Sequence, residues 1–156
     1  AKLYRRQLFD GVRFPAGRCH EDEFISHKLI WEARSIVLTS AHLYYYRQHP
    51  GSFMATSHAP RPSADARDAI RDRADFFLRI GLEMEAEAIY HKLLQMYFRD
   101  FHAARRRGDR LLAMRLSQEV TALAILRAGA GHKLPITIAL YRFVPWLLDA
   151  YLEWRL

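Results

Sequence analysis

The sequence predicts an α+β chain that is predominantly α: a short strand–helix–strand segment followed by a bundle of about four helices. Three observations predict it. Residues 1 to 60 mix β-branched and aromatic runs with one amphipathic stretch, whereas 63 to 156 carry apolar residues at helical spacing almost throughout. The stretch ATSHAPRPS, 55 to 63, holds two prolines among polar residues and reads as the loop or linker between them. The 156 residues, 51% hydrophobic and 26% charged, are enough for one folded unit with a buried core and argue against disorder.

The elements follow in order. Lys2 to Phe9 reads as a strand. From about Asp22 to Ala33, the residues Phe24, Ile25, Lys28, Leu29 and Glu32 recur at i, i+3 and i+4, which predicts a helix. Ser35-Ile36-Val37-Leu38-Thr39 and His42-Leu43-Tyr44-Tyr45-Tyr46-Arg47 are rich in strand-forming residues and read as two further strands. His49-Pro50-Gly51-Ser52 breaks that pattern. Beyond Pro62, Ser63 can cap a helix with the stripe Ala66, Ala69, Ile70, Ala74, Phe77 and Ile80, closed by Gly81. The next helix carries Leu82, Ala86, Tyr90, Leu93 and Tyr97 and ends in Arg105-Arg106-Arg107 before Gly108, where basic residues suit the helix dipole. A third starts near Asp109 with Leu112, Leu116, Val120 and Leu123. The last segment, Leu134 to Leu156, is interrupted at Pro145 and rich in aromatic residues.

Charge and cysteine usage narrow the functional classes. The net charge of +7 favours acidic partners such as phosphates or anionic headgroups. The arginines of 67 to 75 alternate with Asp68, Asp72 and Asp75, which reads as mixed solvated faces without a basic stripe and argues against nucleic acid. No run of about 18 uncharged apolar residues is present. Cys19 is the single cysteine, which excludes an internal disulfide and suits a reducing cytoplasm. No phosphate-cradling glycine loop, nucleophile elbow or Asp-x-Asp occurs.

The chemistry concentrates in FPAGRCHEDEF, residues 14 to 24, where a histidine and three acids enter a helical pattern. One reading of Glu21, Asp22 and Glu23 is dipole compensation at the helix start. The other is proton transfer: a carboxylate favoured in its ionised form is a poor acid but can accept a proton from an attacking hydroxyl. His20, Glu23 and His27 fall at i, i+3 and i+7, a spacing able to hold a divalent ion, though without the usual motif order. The tract from Leu43 to Arg47 is either a strand with one tyrosine face in the core or a phosphate clamp through Arg47.

Lys2-Leu3-Tyr4, Phe14-Pro15-x-Gly17, His20-Glu21-Asp22 and Tyr44-Tyr45-Tyr46-Arg47 with Ser52 occur in an order and spacing that resembles the bacterial family-2 glycosyltransferases. Residues 2 to 52 are similar to the second half of their GT-A catalytic region, and 63 to 156 to their helical C-terminal extension. The resemblance implies inverting transfer of a sugar from a nucleotide-sugar donor to a glycan or lipid-linked acceptor hydroxyl. By the same resemblance Asp22 is the general base, Glu21 orients it or meets the acceptor, and His20, Arg47 and Ser52 contact substrate. The nucleotide-binding half, with the Asp-x-Asp that holds Mg or Mn, lies upstream in the family and is missing here. The expectation is therefore a C-terminal portion of a longer enzyme, inactive alone, that binds no metal by itself. The whole enzyme would be cytoplasmic, in peripheral contact with the inner membrane face, and associate with its own copies through the helical part.

A second class of function stays open. The arginine run 105 to 107 and the aromatic, basic tail from Leu134 also fit an interaction module on an anionic membrane or a partner subunit. Ordinary helix packing of Trp146 and Leu147 accounts for the same tail.

Overall fold

The computed structural model describes residues 2–45, 47 and 60–129. Tyr46, Ser52 and the terminal segment from Leu134 to Leu156 lie outside the described residues, and with that segment the tail part of the interaction-module reading. Among the described residues the chain is predominantly helical. A 3-10 turn, Arg6–Phe9, precedes α1 (Ser26–Glu32), α2 (Pro60–Arg79), α3 (Glu83–Arg106) and α4 (Arg110–Gly129). The chain divides into two compact units, Ala1–Leu93 and Leu94–Leu156, and the division falls inside α3. No helix among the described residues is long and apolar enough to cross a membrane.

No strand forms among the described residues, so the strand–helix–strand remnant expected of residues 2 to 47 is corrected. In the first segment, local turn bonds and ring contacts replace a ladder. Leu8 N–H donates to the Arg5 carbonyl (3.1 Å) and Asp10 N–H to that of Gln7 (3.2 Å). Phe9 meets the edge of Tyr4 at 5.7 Å and stacks on Phe14 at 5.9 Å, which folds the segment onto itself. The runs at 35 to 39 and 42 to 45 form no strand, with Val37, Leu38 and Tyr45 87%, 92% and 92% exposed. Tyr44 and Tyr45 of the predicted tyrosine tract are therefore not in a core. Strand propensity measures fit to a half-buried sheet surface, and Val37, Leu38 and Tyr45 are left largely exposed instead.

The first unit is built around α1 and α2. Helix α1 starts later than the pattern predicts, because residues 21 to 25 form turns that deliver the chain into it. Ile25 and Leu29 are buried as expected, and His27 is buried beside them. Full burial of a leucine such as Leu29 contributes about 1.5–3 kcal/mol. Helix α2 starts earlier than predicted, at Pro60, and Ser63 lies buried inside it rather than capping it. Two prolines are tolerated there because the first-turn amides have no helical partner to lose. Ala69, Ile70 and Ala74 form its buried stripe.

The ends of the long helices are set by local chemistry. After α2, Leu82 N–H reaches the Phe77 carbonyl (2.9 Å) and Gly81 N–H that of Leu78 (3.1 Å), with Gly81 at φ 80°. The end of α3 repeats this: Asp109 N–H donates to the Ala104 carbonyl and Gly108 N–H to that of Arg105, both at 2.9 Å, with Gly108 at φ 73°. Both are Schellman closures, which need a left-handed residue. Asp109 then caps α4 by accepting the Leu112 amide at 3.0 Å. In the second unit Leu94, Tyr97 and Phe98 of α3 and Leu116, Val120 and Leu123 of α4 are buried.

Candidate functional site

The His20–Asp22 turn sits in a loop whose backbone is bent twice into the left-handed region. Gly17 has φ 73°, which costs a glycine little, and His20 has φ 57°, which costs a side-chain-bearing residue roughly 1–3 kcal/mol. Such a conformation persists only where neighbouring contacts impose it. Those contacts come from one face of α2.

On the N-terminal side of the turn, the buried carboxylate of Asp65 takes two donors. Cys19 N–H donates to Oδ2 at 2.8 Å, and Arg18 Nη1 donates to Oδ1 at 2.7 Å. Arg18 Nη1 also reaches Asp68 Oδ2 at 3.0 Å, and the guanidinium lies 5.8 Å from the Phe24 ring centre. Burial works against a charge on Asp65, yet the Cys19 amide and Arg18 outweigh it and hold the carboxyl below its usual range. In return, Asp65 and Asp68 raise the proton affinity of Arg18.

On the C-terminal side, Glu23 pairs with Arg73, and the Glu23 carbonyl faces the same guanidinium at 3.5 Å. One oxygen of Asp72 receives Lys28 Nζ at 2.6 Å and lies 3.4 Å from His27 Nε2. His27 is enclosed by Phe76, ring centres 5.0 Å apart, and by Phe77 at 6.3 Å. Burial is the main cause that pushes its pKa down to about 4, against the opposing pull of Asp72. A backbone hydrogen bond with Glu23 pulls the same way as Asp72, and burial outweighs both.

Between these clamps Glu21 and Asp22 are exposed. Neither caps α1: Ile25 occupies the cap position with no side-chain bond, and the first turn holds no acid. The Asp22 backbone carbonyl takes the Ser26 amide at 2.9 Å and the Ser26 hydroxyl at 2.7 Å. That turn holds Asp22 by its main chain, and the residue stays exposed. The dipole-compensation reading of the three acids is thus replaced: Glu23 is an ion-pair partner of α2, and the other two are presented by a fastened turn.

Of the residues singled out from sequence, His20, Glu21 and Asp22 come together on this turn. Arg47 is exposed and shares no hydrogen bond or ion pair with the turn among the described residues, and Ser52 lies outside them. The spacing of His20, Glu23 and His27 does not produce a metal site, since Glu23 and His27 are committed to α2. No group of three His, Cys, Asp or Glu among the described residues is arranged to hold an ion. The residues that pattern alone missed are Asp65, Asp68, Asp72 and Arg73. Asp68, Asp72 and Arg73 read in sequence as parts of mixed solvated faces, and Asp65 carried no reading; the i, i+3, i+7 spacing of the three aspartates was the available signal that they share one side of a helix.

Two curated proteins of Streptococcus pneumoniae serotype 4 are similar to this chain. Glycosyltransferase GlyG is 40% identical over 55 residues, 35% of this chain and 18% of that protein. Glycosyltransferase GlyA is 26% identical over 96 residues, 61% of this chain and 14% of its own length. The chain therefore covers less than a fifth of either relative, and it is related to glycosyltransferases over part of its length. No family model matches the chain, and no solved structure matches it.

Proposed function

We propose that the chain belongs to an inverting glycosyltransferase of the family-2, GT-A type, in which residues 1 to 60 end the catalytic domain and 63 to 156 form a helical extension. The observation that carries this reading is the exposed Glu21-Asp22 pair on a turn fastened from both sides, in a chain with glycosyltransferase relatives. Asp22 is the general base. The acceptor hydroxyl oxygen attacks the anomeric carbon of a nucleotide sugar as its proton passes to the Asp22 carboxylate. The new carbon–oxygen bond forms while the bond to the diphosphate oxygen breaks, and the nucleoside diphosphate leaves with that electron pair. Attack opposite the leaving group inverts the anomeric centre. Glu21 orients the base or the acceptor, His20 lines the same turn, and Arg47 and Ser52 contact substrate.

A divalent ion such as Mg or Mn neutralises a leaving diphosphate when bound. Among the described residues no group of three His, Cys, Asp or Glu is arranged to hold such an ion. In this reading its ligands and the nucleotide pocket belong to another part of the enzyme, and this chain alone is inactive. The acceptor is a glycan or lipid-linked hydroxyl, met in the cytoplasm or at the inner membrane face.

The test is Asp22→Asn in the enzyme that carries this chain. Nucleoside diphosphate release would be followed over a panel of UDP- and GDP-sugars with methyl glycosides as acceptors. A loss of at least a hundredfold in kcat with donor affinity unchanged is expected for removal of a general base. Full retained turnover would refute the role.

A further inference from the structure

We infer that Asp65, together with Arg18, is the positioning element for the proposed base: α2 of the helical extension sets where the Asp22 carboxylate stands. The inference rests on the preceding assignment of Asp22 and adds a residue that no motif of the catalytic stretch contains. Asp65 is buried and far along the chain from the turn, yet its two oxygens hold the main chain at Cys19 and the side chain of Arg18, one and two residues before His20.

The geometry explains why this bond matters to the base. The left-handed His20 is flanked by Cys19, whose amide is fixed on Asp65, and by the turn in which Glu23 N–H donates to the His20 carbonyl at 3.0 Å. The Asp22 carbonyl is in turn held by Ser26. The path of the backbone from Arg18 to Ser26 is thereby set at both ends, and a base on it keeps one place relative to an incoming hydroxyl. A misplacement of about 1 Å is enough to cost on the order of a hundredfold in a reaction that depends on alignment. The charge on Asp65 is itself favoured by the Cys19 amide and Arg18, so the hold is in force at neutral pH.

Asp65→Asn keeps the size of the side chain but replaces one acceptor oxygen with a donor, so it cannot receive both Cys19 and Arg18. In the enzyme that carries this chain, with the same UDP- and GDP-sugar panel, kcat should fall about tenfold to a hundredfold while KM for donor and acceptor stays within about twofold. Asp65→Glu, which retains both acceptors, should recover part of that loss. Tyr90→Phe removes a hydroxyl that donates to Asp75 at 2.5 Å in the same unit and serves as a stability control with unchanged kcat. If Asp65→Asn lowers the melting temperature but leaves kcat at the wild-type value below the transition, or if Asp65→Glu is no better than Asp65→Asn, the inference is overturned. If Asp22→Asn abolishes turnover and Asp65→Asn does not affect it, the base assignment stands and only the positioning role is lost. Wild-type turnover in Asp22→Asn removes both.

Discussion

His27 shows how one residue can carry opposite meanings in sequence and in structure. Its spacing from His20 and Glu23 suggested a metal ligand, but the ring is 6% exposed, set against Phe76 and Phe77 and beside an Asp72 oxygen already taken by Lys28. Its folded pKa, about 4, lies below the ordinary 6.5, so the unfolded chain binds the proton more readily. The sign follows: the contribution of neutral His27 is fully present above about pH 6.5 and is lost as pH falls toward 4, by roughly 3 kcal/mol in total. Denaturant melts at pH 7 and pH 5 should show lower stability at pH 5, and His27→Phe should flatten the difference. An unaltered pH dependence in His27→Phe would place the titration elsewhere.

At the scale of elements, helix ends were the most legible features. Gly81 and Gly108 were read as closures from their position after periodic runs, and both adopt the left-handed conformation that closure requires. A β-carbon at Gly81 would meet no atom within 4 Å, so substitution there probes the backbone alone. Gly81→Ala should destabilise the chain by roughly 1–2 kcal/mol, read as a fall in melting temperature of a few degrees. A neutral result would mean that the connection between α2 and α3 relaxes to another turn. Strands were the least legible elements. Ser35 to Thr39 has strand composition, but propensity there describes what the residues suit when partnered, and no partner is present among the described residues.

Across the whole molecule, the two units are held by different forces. In the first, the turn and α1 are fastened to α2 through Arg18, Glu23 and Lys28 in part-exposed ion pairs. In the second, the buried side chains of α3 and α4 are mainly apolar. Raising the salt from about 0.1 M to 1 M shortens the screening length from about 10 Å to about 3 Å and weakens exposed pairs most. Amide exchange at residues 19 to 25 should therefore accelerate with salt, while the amides of α4 hold steady or gain protection. Equal responses would show that charge does not govern the hold on the turn.

The sequence by itself determined the helical character of the chain beyond its first segment and the glycine closures at Gly81 and Gly108, and it singled out His20-Glu21-Asp22 as a candidate while placing Asp22 at a helix start. Helix periodicity, glycine closures and a capping aspartate act within a few residues, so their evidence lies in the local order of residues. Only the tertiary structure decided what each charge does. Glu23, Asp65 and Asp68 are neither caps nor solvated decoration but partners across 46 to 50 residues of chain; spacing shows which aspartates share a helix face but not which distant segment that face meets. The same holds for His27, whose neutral, buried state comes from the phenylalanines that enclose it.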